Sequence, residues 1–126
     1  MQLDGDPPLD GCRVLIVEDD GLIALDLEGT FQDAGAEVDL ATSLEAARRL
    51  VGRRYDLAVL DCWLRGEEVF PVADALRDLG VPILFHSGHL RLADIRGPYP
   101  DAVAVGKPST AASLLLAAKQ IAATAA

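Results

Sequence analysis

The chain has 126 residues, 51% of them hydrophobic and 25% charged, the composition of one ordinary globular domain with no room for a second folded one. Eleven Lys and Arg stand against 20 Asp and Glu, and the net charge of −9 argues against binding to a nucleic-acid backbone. No apolar run approaches the ~20 residues that span a bilayer. The acidic start lacks the order of a signal peptide. Cys12 and Cys62 form no CxxC pair, so a cytoplasmic, reducing compartment is the expectation.

Residues 1–11, with Asp4, Gly5, Asp6, Pro7, Pro8, Asp10 and Gly11, have the composition of a disordered acidic arm, and the domain is expected over 12–126. Arg13-Val14-Leu15-Ile16-Val17 is a continuous apolar run, the mark of a strand buried on both faces. Ile23, Leu27, Phe31 and Ala34 then recur at helical spacing, with Gly35 as the stop. Glu37-Val38-Asp39-Leu40-Ala41 alternates as a second strand, and Ser43 is placed to cap a helix carrying Leu44, Ala47, Leu50 and Val51.

The pattern repeats. Asp56-Leu57-Ala58-Val59-Leu60 is a third strand, and Phe70, Ala73, Leu76 and Leu79 make a helix that stops at Gly80. Val81-Pro82-Ile83-Leu84-Phe85 is a fourth strand with its Pro at the start, where no ladder hydrogen bond is lost. The stretch from Leu90 to Ile95 predicts a short fourth helix, cut off by Gly97, Pro98 and Pro100. Ala102-Val103-Ala104-Val105 is a fifth strand, and Ser109 or Thr110 caps a last helix bearing Leu114, Leu115, Ala118 and Ile121. Strands alternating with helices predict an α/β fold, a doubly wound parallel sheet with helices on both faces. Ligands of such sheets gather at the carboxyl ends of the strands.

Those ends carry Glu18, Asp19 and Asp20 after the first strand, Asp61 after the third, Ser87 after the fourth and Lys107 after the fifth. Converging carboxylates repel unless one is protonated or a cation joins them. A few hard oxygen donors suit Mg²⁺, which keeps several waters and serves phosphoryl chemistry. An ammonium and a hydroxyl opposite the metal are what the spread charge of a transferred phosphoryl group requires.

Val14-Leu15-Ile16-Val17-Glu18-Asp19-Asp20, Asp56-Leu57-Ala58-Val59-Leu60-Asp61, Pro82-Ile83-Leu84-Phe85-His86-Ser87-Gly88 and Gly106-Lys107-Pro108 together resemble the receiver domain of bacterial two-component response regulators. The resemblance runs from residue 12 to about residue 122, with the motifs in the family's order. It implies a flavodoxin-like strand order 2-1-3-4-5. It implies that Asp61 is the phosphoacceptor, taking its group from a histidine kinase or a histidine phosphotransfer protein. Glu18, Asp19, Asp61 and the backbone carbonyl of Trp63 would hold Mg²⁺, Ser87 would bond a phosphoryl oxygen, and Lys107 would pair with the phosphoryl charge. Asp20 is read as a first-turn helix acid instead. With no output domain in this length, the signal would pass onward as phosphoryl flux or by binding a downstream signalling protein.

Phe85-His86-Ser87-Gly88-His89 is also similar to the Phe-Ala-Thr-Gly-Tyr-like segment of a receiver subgroup, as is Val69-Phe70-Pro71-Val72-Ala73-Asp74-Ala75-Leu76 to that subgroup's third helix. Members are often free-standing receivers in phosphorelays. The aromatic residue that most receivers carry three positions before the Lys is here Ala104, so the common aromatic switch is absent. Cys62 is read as a small apolar filler, His86 as a packed histidine rather than a zinc ligand with His89, and Trp63 either as a shield of the phosphoaspartate or as surface packing. Two rival readings are a receiver-like interaction module that needs no phosphorylation and a small phosphohydrolase. The second lacks an acid two residues after the nucleophile, where Trp63 stands.

Overall fold

The apolar runs become the middle of one sheet. The computed structural model describes residues 7–88 and 92–124, so residues 1–6, 89–91 (His89 and Leu90 among them) and 125–126 lie outside the described residues. In chain order the elements are β1 (Arg13–Val17), α1 (Gly21–Asp33), β2 (Glu37–Ala41), α2 (Leu44–Leu50) and a 3₁₀ turn (Val51–Arg53). There follow β3 (Leu57–Leu60), β4 (Trp63–Leu64), β5 (Glu67–Glu68), α3 (Phe70–Asp78), β6 (Ile83–Ser87), α4 (Leu92–Arg96), β7 (Val103–Gly106) and α5 (Ala111–Thr124). The main sheet is parallel in the order β2-β1-β3-β6-β7, which is the expected 2-1-3-4-5 with β6 and β7 as its fourth and fifth strands.

Strand alternation divides the core into two layers. Leu15, Val17, Ala58, Leu60, Ile83 and Phe85 face α2 and α3, where they meet Leu44, Ala47, Val72, Ala73 and Leu76. Val14, Ile16, Leu57, Val59 and Leu84 face α1 and α5, against Leu27, Phe31, Leu114, Ala118 and Ile121. Both faces are therefore dry, which is why the central strands read as unbroken apolar runs.

Caps set the helix starts. Asp20 accepts from the amides of Leu22 and Ile23 at the head of α1, and Ser43 accepts from Ala46 at the head of α2. Thr110, rather than Ser109, takes the amide of Ser113 at the head of α5. Among the described residues the fourth helix runs over five residues, Leu92 to Arg96, short as expected.

Two features depart from expectation. Residues 7–11, expected to belong to a disordered arm, form a turn in which Leu9 is buried and its amide donates to the Ala34 carbonyl at 2.9 Å. One well-placed apolar side chain outweighs the polar, Pro- and Gly-rich composition around it. Gly35 permits that packing: its φ is +95°, and a Cβ there would lie 2.9 Å from the Cβ of Pro7 and the Cα of Asp10. The second departure is the β4–β5 hairpin, a small antiparallel pair between β3 and α3 that the sequence reading did not anticipate. Its turn residues Arg65 and Gly66 both have positive φ, 51° and 82°, the signature of a type I′ turn.

Candidate functional site

Register assembles the site. Val17 pairs with Leu60, so the next residues, Glu18 and Asp61, emerge side by side at the carboxyl end of the sheet. Each still extends its strand by one backbone bond, Glu18 N to Ala41 O at 3.0 Å and Asp61 N to Val17 O at 2.9 Å. Ser87 pairs with Gly106, which brings Lys107 to the same end, and the Lys107 amide donates to the Ser87 carbonyl at 3.0 Å. By strand alternation, Glu18, Asp61 and Lys107 all follow the parity of the α1–α5 face.

The Lys107 ammonium lies between the two carboxylates, 2.6 Å from Glu18 Oε1 and 3.0 Å from Asp61 Oδ2. Glu18 is 1% exposed and Asp61 8%, so both sit out of bulk water. Burial raises the Glu18 pKa above its ordinary value, against the pull of the Lys107 hydrogen bond. For Lys107 burial acts the other way, but the hydrogen bonds to Glu18 and Asp61 outweigh it and raise its pKa.

Asp19 completes the acidic cluster: ligand oxygens of Glu18, Asp19 and Asp61 all lie within 4.8 Å of one another. The hairpin steadies this flank. Its Arg65 amide donates to Asp19 Oδ2 at 2.8 Å, and the Trp63 amide approaches Asp61 Oδ1 at 3.5 Å, a long contact. Trp63 itself is half-exposed at the rim. Three carboxylates facing a single ammonium fit a hard divalent cation, because the donors are all oxygen and too few to replace its whole water shell. Asp20 is turned away from this cluster by its capping role.

The other sequence-selected residues fall on both sides of β6. Ser87 is buried and shares the parity of Phe85, toward the α2–α3 layer. There its hydroxyl meets the Cys62 thiol, whose pKa burial pushes up to about 11 despite that hydrogen bond. The thiol is thus inert packing at neutral pH. His86 points to the opposite face, buried, with Nε2 3.0 Å from Ser109 Oγ. Ala104 packs into the layer that holds Phe85 and Tyr99. Tyr99, which the sequence reading passed over, stacks on Phe70 with ring centroids 6.0 Å apart and hydrogen-bonds Asp74. A lone Tyr between two prolines gave no periodic signal. A cleft of about 440 Å³ lies at the starts of β6 and β7, lined by Arg77, Pro82 and Tyr99 among others, at the far end of the sheet from the carboxylates.

No protein-family model matches the sequence, and no curated protein matches it. Solved structures do. A response regulator receiver protein from Sinorhizobium medicae superimposes with a TM-score of 0.83 at 29% identity, over 94% of this chain and 99% of that one. The chain has the receiver fold. A CheY-like receiver domain protein from Methanospirillum hungatei matches with a TM-score of 0.82 at 22% identity, over 90% of this chain and 95% of that one. The receiver domain of a Francisella response regulator gives 0.79 at 18% identity, over 92% and 100%. Receiver folds are those of signalling domains, and the acidic cluster of this chain stands at the end of the sheet where ligands of doubly wound folds gather. Among the described residues no helix is long and apolar enough to cross a membrane.

Proposed function

We propose that this chain is a phosphoacceptor: Asp61 takes a phosphoryl group from a phosphohistidine on a histidine kinase or histidine phosphotransfer protein. A carboxylate oxygen of Asp61 attacks phosphorus, the phosphorus–nitrogen bond breaks, and the imidazole leaves with a proton from solvent. The product is an acyl phosphate on Asp61. The observation that carries this reading is the Lys107 ammonium held between Glu18 and Asp61 beside a third carboxylate, Asp19.

Each residue has work to do in that transfer. Lys107 is already within hydrogen-bond reach of the attacking group, so its charge can follow the incoming phosphoryl oxygens without a large rearrangement. Glu18 and Asp19, with Asp61 and the Trp63 carbonyl, would hold Mg²⁺, which when bound supplies positive charge to the phosphoryl oxygens. Asp19 is oriented for this by the Arg65 amide. Ser87, at the end of β6, would exchange its Cys62 partner on the α2–α3 side for a phosphoryl oxygen, and that exchange would relay the change to the α3–α4 side of the molecule. The phosphorylated state would then act by altered affinity for a downstream signalling protein or by onward transfer, and its effect is limited by the difference in affinity between the two states. The likeness of residues 85–89 and of residues 69–76 to the corresponding segments of the Phe-Ala-Thr-Gly-Tyr-motif receivers supports reading the chain as one of that subgroup.

Incubation with a small acyl phosphate, read by intact mass, tests the proposal. It expects a gain of one phosphoryl group that needs Mg²⁺ and vanishes in Asp61→Asn. Equal labelling of the wild type and Asp61→Asn, or none in either, would favour an interaction module that works without phosphorylation.

A further inference from the structure

The sequence draws attention to Ser87, but strand parity puts its neighbour His86 on the face shared by Lys107 and Asp61. We propose that His86 is a positioning residue for Lys107: its imidazole anchors Ser109, so that the β7–α5 loop presents the Lys107 ammonium to Glu18 and Asp61. The inference rests on the phosphoacceptor reading only for why Lys107 must be held there.

Two ties bracket Lys107. Its own amide donates to the Ser87 carbonyl, and two residues further on Ser109 Oγ lies 3.0 Å from His86 Nε2. Adjacent residues of β6 thus hold the loop on either side of the lysine, one through backbone and one through a side chain. The lysine stem is flexible, and where its ammonium settles depends on where the loop fixes its Cα. The exposed Ser109 has no core packing of its own to hold the loop in place.

The imidazole is suited to this task. His86 is 5% exposed, and its Nδ1 is buried with no partner among the described residues. Burial, then the nearby Lys107 charge, lowers its pKa, so the ring is neutral at neutral pH. Of the two neutral tautomers, the one protonated on Nε2 leaves a bare lone pair at Nδ1 rather than an orphaned N–H, the cheaper of the two faults. The hydrogen-bond network therefore assigns the proton to Nε2, which donates to Ser109 Oγ.

Competitive acylation of the folded chain with acetic anhydride tests this, with the exposed Lys119, the chain's other lysine, as internal reference. The ratio of Lys107 to Lys119 labelling should rise about fivefold in Ser109→Ala and in His86→Met, the scale of one lost hydrogen bond. His86→Gln, whose amide nitrogen can stand in for Nε2, should stay near the wild-type ratio. A Ser109→Ala ratio equal to that of the wild type, or a Gln variant as reactive as the Met variant, would overturn the proposal. Because no phosphodonor takes part, a wild type that accepts no phosphoryl group would sink the phosphoacceptor reading alone.

Discussion

The two ends of the sheet are held together by different physics. At the amino end, Leu9 and Phe31 are buried in hydrocarbon, while charge stays outside: Arg13 lies beside Glu37 and Asp39 in partly exposed pairs, and its amide donates to a carboxylate oxygen of Asp56. At the carboxyl end the carboxylates are inside, with Glu18 and Asp61 buried and paired with a partly buried Lys107. Exposed pairs of the first kind contribute little. Buried charges of the second kind are costly to assemble and keep their value only while every partner stays in place. The amino end is therefore a source of stability, and the carboxyl end gives up stability to keep its charges together.

Phe31→Ala breaks the comparison from the stable side. Deleting a fully buried aromatic should cost about 3–5 kcal/mol in denaturant unfolding, while the folded fraction still accepts phosphoryl groups on Asp61. If labelling of the folded fraction fell as well, the two ends would not be separable. From the other side, Mg²⁺ at about 100 times its Kd should stabilise the wild type by about 2.7 kcal/mol. Asp61→Asn should lose most of that gain, and thermal unfolding with and without the ion reads it directly. Asp20→Ala separates a cap from a ligand. It should cost about 1 kcal/mol of stability and leave Mg²⁺ affinity, followed by Trp63 fluorescence, unchanged. A tenfold weaker Mg²⁺ affinity in that variant would put Asp20 in the metal site.

The smallest effect is a slope. Burial raises the Glu18 pKa above its ordinary 4.5, so the folded state keeps that proton to higher pH than the unfolded chain. Stability from this group must therefore fall as pH rises through the window above 4.5. Glu18→Gln should flatten stability against pH there, measured without divalent cations. The same slope in the Gln variant would assign it to another group.

Much of this was legible in the sequence because it depends on period. Runs apolar on both faces mark β1, β3 and β6, with β7 a shorter apolar run beside them, and a parallel register carries the residues after β1, β3 and β7 to one edge, so Glu18, Asp61 and Lys107 could be named before their contacts were known. What stayed hidden depends on single contacts. The hairpin is two residues per strand and carries two glutamates, too short for an alternation to register; only Arg65-Gly66 hinted at its turn. Leu9 was lost in a disorder-prone composition because burial by one side chain has no period at all. His86 was read correctly as packed, yet its partner Ser109 was weighed only as a helix cap, a role that Thr110 takes. Counting parity from Leu84 would have set His86 on the face of the site.

A phosphoryl group on Asp61 is a bond to one carboxylate, and it can be read at residue resolution. Borohydride reduction of the chain after treatment with a small acyl phosphate and Mg²⁺ converts an aspartyl phosphate to homoserine, which peptide mass mapping can place. Homoserine is expected at position 61 and at none of the other acids of the cluster. An unreduced Asp61 beside a phosphorylated chain, or homoserine at Asp19 in its place, would contradict it.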